Sequence, residues 1–288
     1  MKCKPLDIPG RYNYVSCFLT LKCNYMCAYC INGKLIKEEK KSVYMTGAEW
    51  VRGINRLKLG ADLPVTLQGG EPSLHPQFAW IINHIRKDIN IDILTNLSFN
   101  PDIFIKEVKP ERINRDAPYA PIRVTYHPEK EDINILLEKT IKLTEAGFRI
   151  GVYGILHPKY GAKVMRAKEM FLKKGLDFRT KEFLGDYENK TYGKYLYPDA
   201  VKAGEKKKCL CRASELIIGP DCGIYRCHHY LYSKMPDIGN LLDNGLHIED
   251  KFRDCDEYGY CNYCDVKIKT DRYQKYGYTS VKIKGLKK

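Results

Sequence analysis

The chain has 288 residues and 12 cysteines, with 49 lysines and arginines against 35 acidic residues for a net charge of +14. Its 44% hydrophobic and 29% charged residues describe a folded globular protein, which excludes disorder as the main state. No apolar run approaches the ~20 residues that span a bilayer, and the opening Met1–Pro5 lacks the apolar stretch of a secretory signal. A cytoplasmic address is expected, and there cysteines serve as metal ligands more often than as disulfides. The positive charge is spread along the chain and no recognition module accompanies it, so no dedicated nucleic-acid role is expected.

Short apolar runs predict strands at Tyr14–Leu21, Pro64–Gln68, Ile91–Thr95, Ile122–Tyr126, Arg149–Ile155 and Asp177–Lys181. Helical signals fall between them. Thr46 and Glu49 form a capping box ahead of Trp50, Ile54 and Leu57. Phe78, Ile81, Ile82 and Ile85 recur at helical spacing after Pro76. Ile133, Leu136, Leu137 and Ile141 repeat the pattern before Gly147, as do Val164, Ala167 and Phe171 before Gly175. Six strand-and-helix units predict a parallel α/β sheet curled into a partial (β/α)6 TIM-like barrel, its working residues at the carboxyl ends of the strands. This domain is expected over residues 1–190. Beyond it periodicity fades and cysteine, tyrosine and glycine accumulate, so residues 191–288 read as a small cysteine-rich domain held together by metal.

Cys23, Cys27 and Cys30 follow the first strand as Cys-Asn-Tyr-Met-Cys-Ala-Tyr-Cys. Three thiolates in one loop can converge on a metal centre and leave a coordination position open, where a structural site would want a fourth protein ligand. This spacing, with Tyr29 before the last cysteine, resembles the signature of the radical S-adenosylmethionine enzymes. Gln68-Gly69-Gly70-Glu71-Pro72 at the end of the second strand resembles that family's GGEP motif, and Thr95-Asn96 ends the third strand as it often does there. The resemblance implies a 4Fe-4S cluster on Cys23, Cys27 and Cys30, its fourth iron chelated by S-adenosylmethionine. Reductive cleavage would then give a 5′-deoxyadenosyl radical that abstracts a substrate hydrogen atom. Gly69, Gly70, Glu71, Pro72, Asn96, Thr125 and His127 are the expected cofactor contacts. Without a side chain, the glycine pair can offer its backbone to the methionine ammonium.

Cys209, Cys211, Cys222, Cys227, Cys255, Cys261 and Cys264 remain in the C-terminal part. The stretch from Cys211 to Cys227 reads as a β-hairpin turning near Gly219–Gly223, and Cys261-Asn262-Tyr263-Cys264 follows. This layout resembles the twitch domain, the shortened relative of the SPASM domain. It implies an auxiliary 4Fe-4S cluster on Cys211, Cys227, Cys261 and Cys264, with Cys209 able to replace Cys211 and with Cys222 and Cys255 beyond the minimal set. Zinc on the same thiolates is the competing reading.

The expected activity is that of a radical oxidoreductase in which the auxiliary cluster accepts the substrate electron, most simply by dehydrogenating a small sugar-like metabolite. A peptide-modifying maturase or epimerase is the alternative. Against it, no recognition domain is expected before the first strand. A non-catalytic, metal-stabilised basic binding protein is the reading from another class. An external one-electron reductant such as flavodoxin or ferredoxin is the expected partner. His127-Pro128, His157-Pro158, Lys181-Glu182 and His228-His229 are further candidates at strand ends and beside Cys227.

Overall fold

The computed structural model describes residues 3–33, 45–60, 62–202, 204–269 and 279–285. Six strands run parallel and neighbour one another in sequence order: β1 (Tyr14–Thr20), β2 (Val65–Gly69), β3 (Ile91–Thr95), β4 (Ile122–Tyr126), β5 (Ile150–Leu156) and β6 (Asp177–Glu182). Each lies within one residue of its expected bounds. β1 is buried along its whole length, as a central parallel strand covered on both faces should be.

The helices α1 (Gly47–Ile54), α2 (Phe78–His84), α3 (Pro101–Glu107), α4 (Ile133–Glu145) and α5 (Gly161–Leu172) connect these strands. Thr46 and Glu49 close the expected capping box. Gly147 and Gly175 take φ of 90° and 71° after α4 and α5, a conformation that side chains resist. α3 was not among the expected helices. It starts where the Asn100 side chain accepts from the backbone of Asp102 and Ile103, with Pro101 next.

Past β6 the chain builds β7 (Lys207–Ala213), β8 (Glu215–Ile218), β9 (Ile224–Tyr225), α6 (His228–Tyr232), β10 (Arg253–Tyr258), α7 (Tyr263–Val266) and β11 (Val281–Lys284). β8 and β9 form the expected hairpin, and β8 also pairs parallel with β1, Glu215 opposite Tyr14 and Ile218 opposite Cys17. The central sheet therefore has eight strands in the order β9-β8-β1-β2-β3-β4-β5-β6, open between its two edges. β7 belongs to a separate antiparallel sheet, β10-β7-β11. Ser214 is the joint between them, buried and donating to the Thr279 carbonyl at 3.0 Å. Among the described residues no helix is long and apolar enough to cross a membrane.

Candidate functional site

A cavity of about 640 Å³ occupies the mouth and interior of the barrel, and Cys23, Cys27, Cys30, Gly69, Gly70, Asn96, Thr125 and His127 all line it. The glycines answer first to packing. Gly69 has φ of 153°, and a Cβ on Gly70 would sit 2.2 Å from the Lys22 carbonyl oxygen. The end of β2 thus lies against the segment entering the cysteine loop, and only glycine fits there. The Asn32 amide donates to the Gly69 carbonyl at 3.3 Å, and the Asn96 amide to Asn24 Oδ1 at 2.8 Å.

The side chains of Glu71 and Pro72, also among the expected cofactor contacts, are buried behind this wall. Glu71 ties the ends of β2 and β3 together. It accepts from the Thr95 hydroxyl at 2.7 Å, the Asn96 N–H at 2.7 Å and the Ser73 hydroxyl at 2.6 Å. Burial raises its carboxyl above the usual range, and these hydrogen bonds oppose the rise.

His127 closes the other side of the cysteine loop. Its Nδ1 lies 3.2 Å from both Cys27 Sγ and the Tyr29 hydroxyl, and its ring stacks on Tyr29. Burial lowers its pKa to about 4, so the imidazole is neutral at physiological pH. Glu129 braces the same loop by accepting from the Ala28 N–H at 2.9 Å. His157 does not reach the cavity; it packs between Phe183 and Tyr187.

Three thiols facing one cavity, with free space beside them, suit a cluster that has three protein ligands and one open position. Burial pushes the Cys27 thiol up to about 12 and raises Cys23 and Cys30 as well, so metal must displace protons to bind. Among the described residues no three His, Cys, Asp or Glu side chains are gathered tightly enough for a single metal ion.

A second group of thiols forms in the C-terminal region. Cys211, Cys227 and Cys255 line a small cavity of about 40 Å³, and Cys209 and Cys261 pack in the same apolar cluster. Cys209 stands opposite Cys255 across β7 and β10. Burial, reinforced by the neighbouring thiols, raises Cys211 and Cys227 well above the ordinary thiol range. Cys264, of the expected set, lines the large cavity, and Cys255 lines the small one beside Cys211 and Cys227. The short helix α7 starts between Cys261 and Cys264, where the Asn262 side chain accepts from the Cys264 N–H. Cys222 and Cys17 are fully buried in the barrel core, where burial raises both thiols and each serves as a small apolar side chain.

The two cavities share a wall, since Glu215 lines both. Cys227 faces the small one and the adjacent His228 the large one. Asp265 holds this junction, accepting from the backbone N–H of His228 and of His229 at 3.0 Å each. Asp265, Glu215, Lys269 and Arg123 were missed by the sequence reading. Arg123 was findable, because it shares the inward face of β4 with Thr125 and His127 at a spacing of two.

Residues 18–160 match the model of the Radical SAM superfamily. A protein described as "S-adenosylmethionine-dependent nucleotide dehydratase" from Selenomonas ruminantium is 33% identical over 98 residues, 33% of this chain. The chain spans 34% of the length of that relative. Among solved structures, "Native anSMEcpe with bound AdoMet and Kp18Cys peptide" superposes with a TM-score of 0.56 at 12% identity, covering 83% of this chain and 78% of that one. "Native anSMEcpe with bound AdoMet" also gives 0.56 at 12% identity, with the same coverage of 83% and 78%. Likeness at such identity establishes the shared fold.

Proposed function

The chain carries a Radical SAM superfamily domain over residues 18–160, and from that premise we propose that it dehydrogenates a small substrate by hydrogen-atom abstraction. Cys23, Cys27 and Cys30 would hold a 4Fe-4S cluster that, with S-adenosylmethionine and an external one-electron reductant such as flavodoxin or ferredoxin, would supply the radical chemistry of hydrogen-atom abstraction. The observation that carries this reading is the convergence of the three cysteines, Gly69, Gly70, Asn96, Thr125 and His127 on one cavity. The chain's own residues position and enclose. Glu71 fixes the ends of β2 and β3, neutral His127 and Glu129 brace the cysteine loop, and the barrel walls limit water around a reactive radical.

The C-terminal thiols Cys211, Cys227, Cys255 and Cys261 would hold an auxiliary 4Fe-4S cluster that serves as electron acceptor. Adjacent residues, Cys227 and His228, face the small and large cavities. That proximity supports net oxidation of the substrate over a redox-neutral outcome. The test is anaerobic reconstitution with an iron count and assay of 5′-deoxyadenosine under dithionite. We expect about eight irons per chain and 5′-deoxyadenosine from the wild type, with none from Cys27→Ala. Full iron loading without 5′-deoxyadenosine would leave a metal-stabilised binding protein as the surviving reading.

A further inference from the structure

The large cavity carries positive charge on its β4 and β6 walls, from Arg123 deep in the barrel to Lys181 nearer the mouth. Arg123 lies four residues before His127 on the inward face of β4, about 13 Å deeper at about 3.3 Å per residue. It is 8% exposed, and its Nη2 donates to Asp92 Oδ2 at 3.1 Å. That aspartate also pairs with Arg115 at 2.8 Å, so one carboxylate serves two guanidinium groups. The buried Nε–H of Arg123 has no hydrogen-bond partner among the described residues. Lys181 Nζ lies 4.4 Å from the ring centre of Tyr153, which stands beside Thr125 in the register of β4 and β5.

Lys267 and Lys269 complete the cationic lining, paired with Glu182 at 3.4 Å and with Glu215. Four cationic side chains and two carboxylates line the cavity, and Asp92 behind Arg123 is a third carboxylate shared with Arg115. A guanidinium that is buried and only half compensated is costly unless an anion completes it. The N–H groups that Asp92 leaves unused are suited to a carboxylate or phosphate oxygen.

We infer that the substrate is an anion whose carboxylate or phosphate is held by Arg123 and Lys181, with its reacting carbon towards the cysteine end. This inference rests on the reading of the cavity as a radical active site. Because S-adenosylmethionine brings its own carboxylate, the experiment is run with that cofactor present. Cluster-loaded protein is titrated anaerobically by calorimetry with inorganic phosphate and, separately, with succinate.

One of the two anions is expected to bind, and which one does separates a phosphorylated from a carboxylated substrate. Arg123→Gln and Lys181→Gln should each weaken that binding about tenfold, a loss of about 1.4 kcal/mol. Lys207→Gln, on the exposed start of β7, should leave it unchanged. Lys181 is exposed, so its variant keeps the test valid if Arg123→Gln disturbs the Asp92 network. Failure of both anions to bind, or binding indifferent to both variants, would overturn the inference. The 5′-deoxyadenosine assay on the same samples reports on the radical reading separately. Anion binding that obeys the variants in a protein unable to cleave S-adenosylmethionine would uphold the anion site while the reaction falls.

Discussion

Trp50, Ile54, Leu67, Ile82 and Phe171 are fully buried between the barrel sheet and its helices, within an apolar cluster that runs from Leu6 to Ile248. The C-terminal sheet has little to compare with this. Its cluster consists of Ala200, Cys209, Tyr258, Val266, Val281 and Ile283, and much of what packs against them is cysteine and tyrosine. The barrel can hold its shape by burial alone, whereas the smaller region needs a further source of stability, for which a metal cluster on its thiols is suited. The two thiol groups follow the same division. Cys23, Cys27 and Cys30 sit on a loop supported by a finished barrel, and the C-terminal cysteines sit inside the structure that they would help to hold.

The widest separation between the regions should come from Cys255→Ala and Cys264→Ala. Cys255→Ala is expected to lose about four of about eight irons and to expose the β7–β10 sheet to limited proteolysis, while 5′-deoxyadenosine is still formed. Cys264→Ala should keep both the irons and the protease resistance, because its thiol faces the large cavity. The reverse pattern in the iron counts would restore the paired CxxC ligation that the sequence suggests.

Phe171→Ala probes the opposite property. The ring is fully buried in the barrel core and packs edge-on to Phe178 at 5.4 Å. Its removal should cost about 3–5 kcal/mol in urea unfolding. The loss should be the same in iron-free and iron-loaded protein if the barrel owes its stability to packing. A loss that appears only in the loaded protein would tie the two regions into one cooperative unit.

Legibility in the sequence followed the same boundary. The strands of the barrel were readable because each is a local apolar run, and the capping box and the terminal glycines of α4 and α5 are local signals too. The cysteine loop was readable for the same reason, as its three cysteines lie within eight residues. The join of β8 to β1 was not, since it pairs residues 215–218 with residues 14–17 and nothing in either segment names its partner. The place of Cys255 beside the small cavity and of Cys264 beside the large one was not legible, because it depends on how β10 and α7 are placed. Glu71 was given a cofactor contact from its motif, yet its direction is set by hydrogen bonds to Ser73, Thr95 and Asn96 across two strand ends.

Glu131 offers the finest comparison, since it supports the barrel mouth without being a candidate ligand. Its Oε2 accepts from the His127 N–H at 2.8 Å. Burial is the main cause that raises its carboxyl to about 7. The His127 and Tyr25 hydrogen bonds and the Lys139 charge oppose the rise, and the Glu71 charge adds to it. A raised carboxyl means that the folded chain holds more protons than the unfolded chain between the ordinary value of 4.5 and about 7. Stability conferred by that proton is present at the acid side of this window and is lost as pH rises through it. The wild type should therefore lose about 1–3 kcal/mol from this group between the two limits. Glu131→Gln should flatten that slope, measured by urea unfolding of the iron-free protein across the window. An unchanged slope in the variant would take Glu131 out of the pH response and place the titration on another group, such as the buried Glu71 that ties β2 to β3.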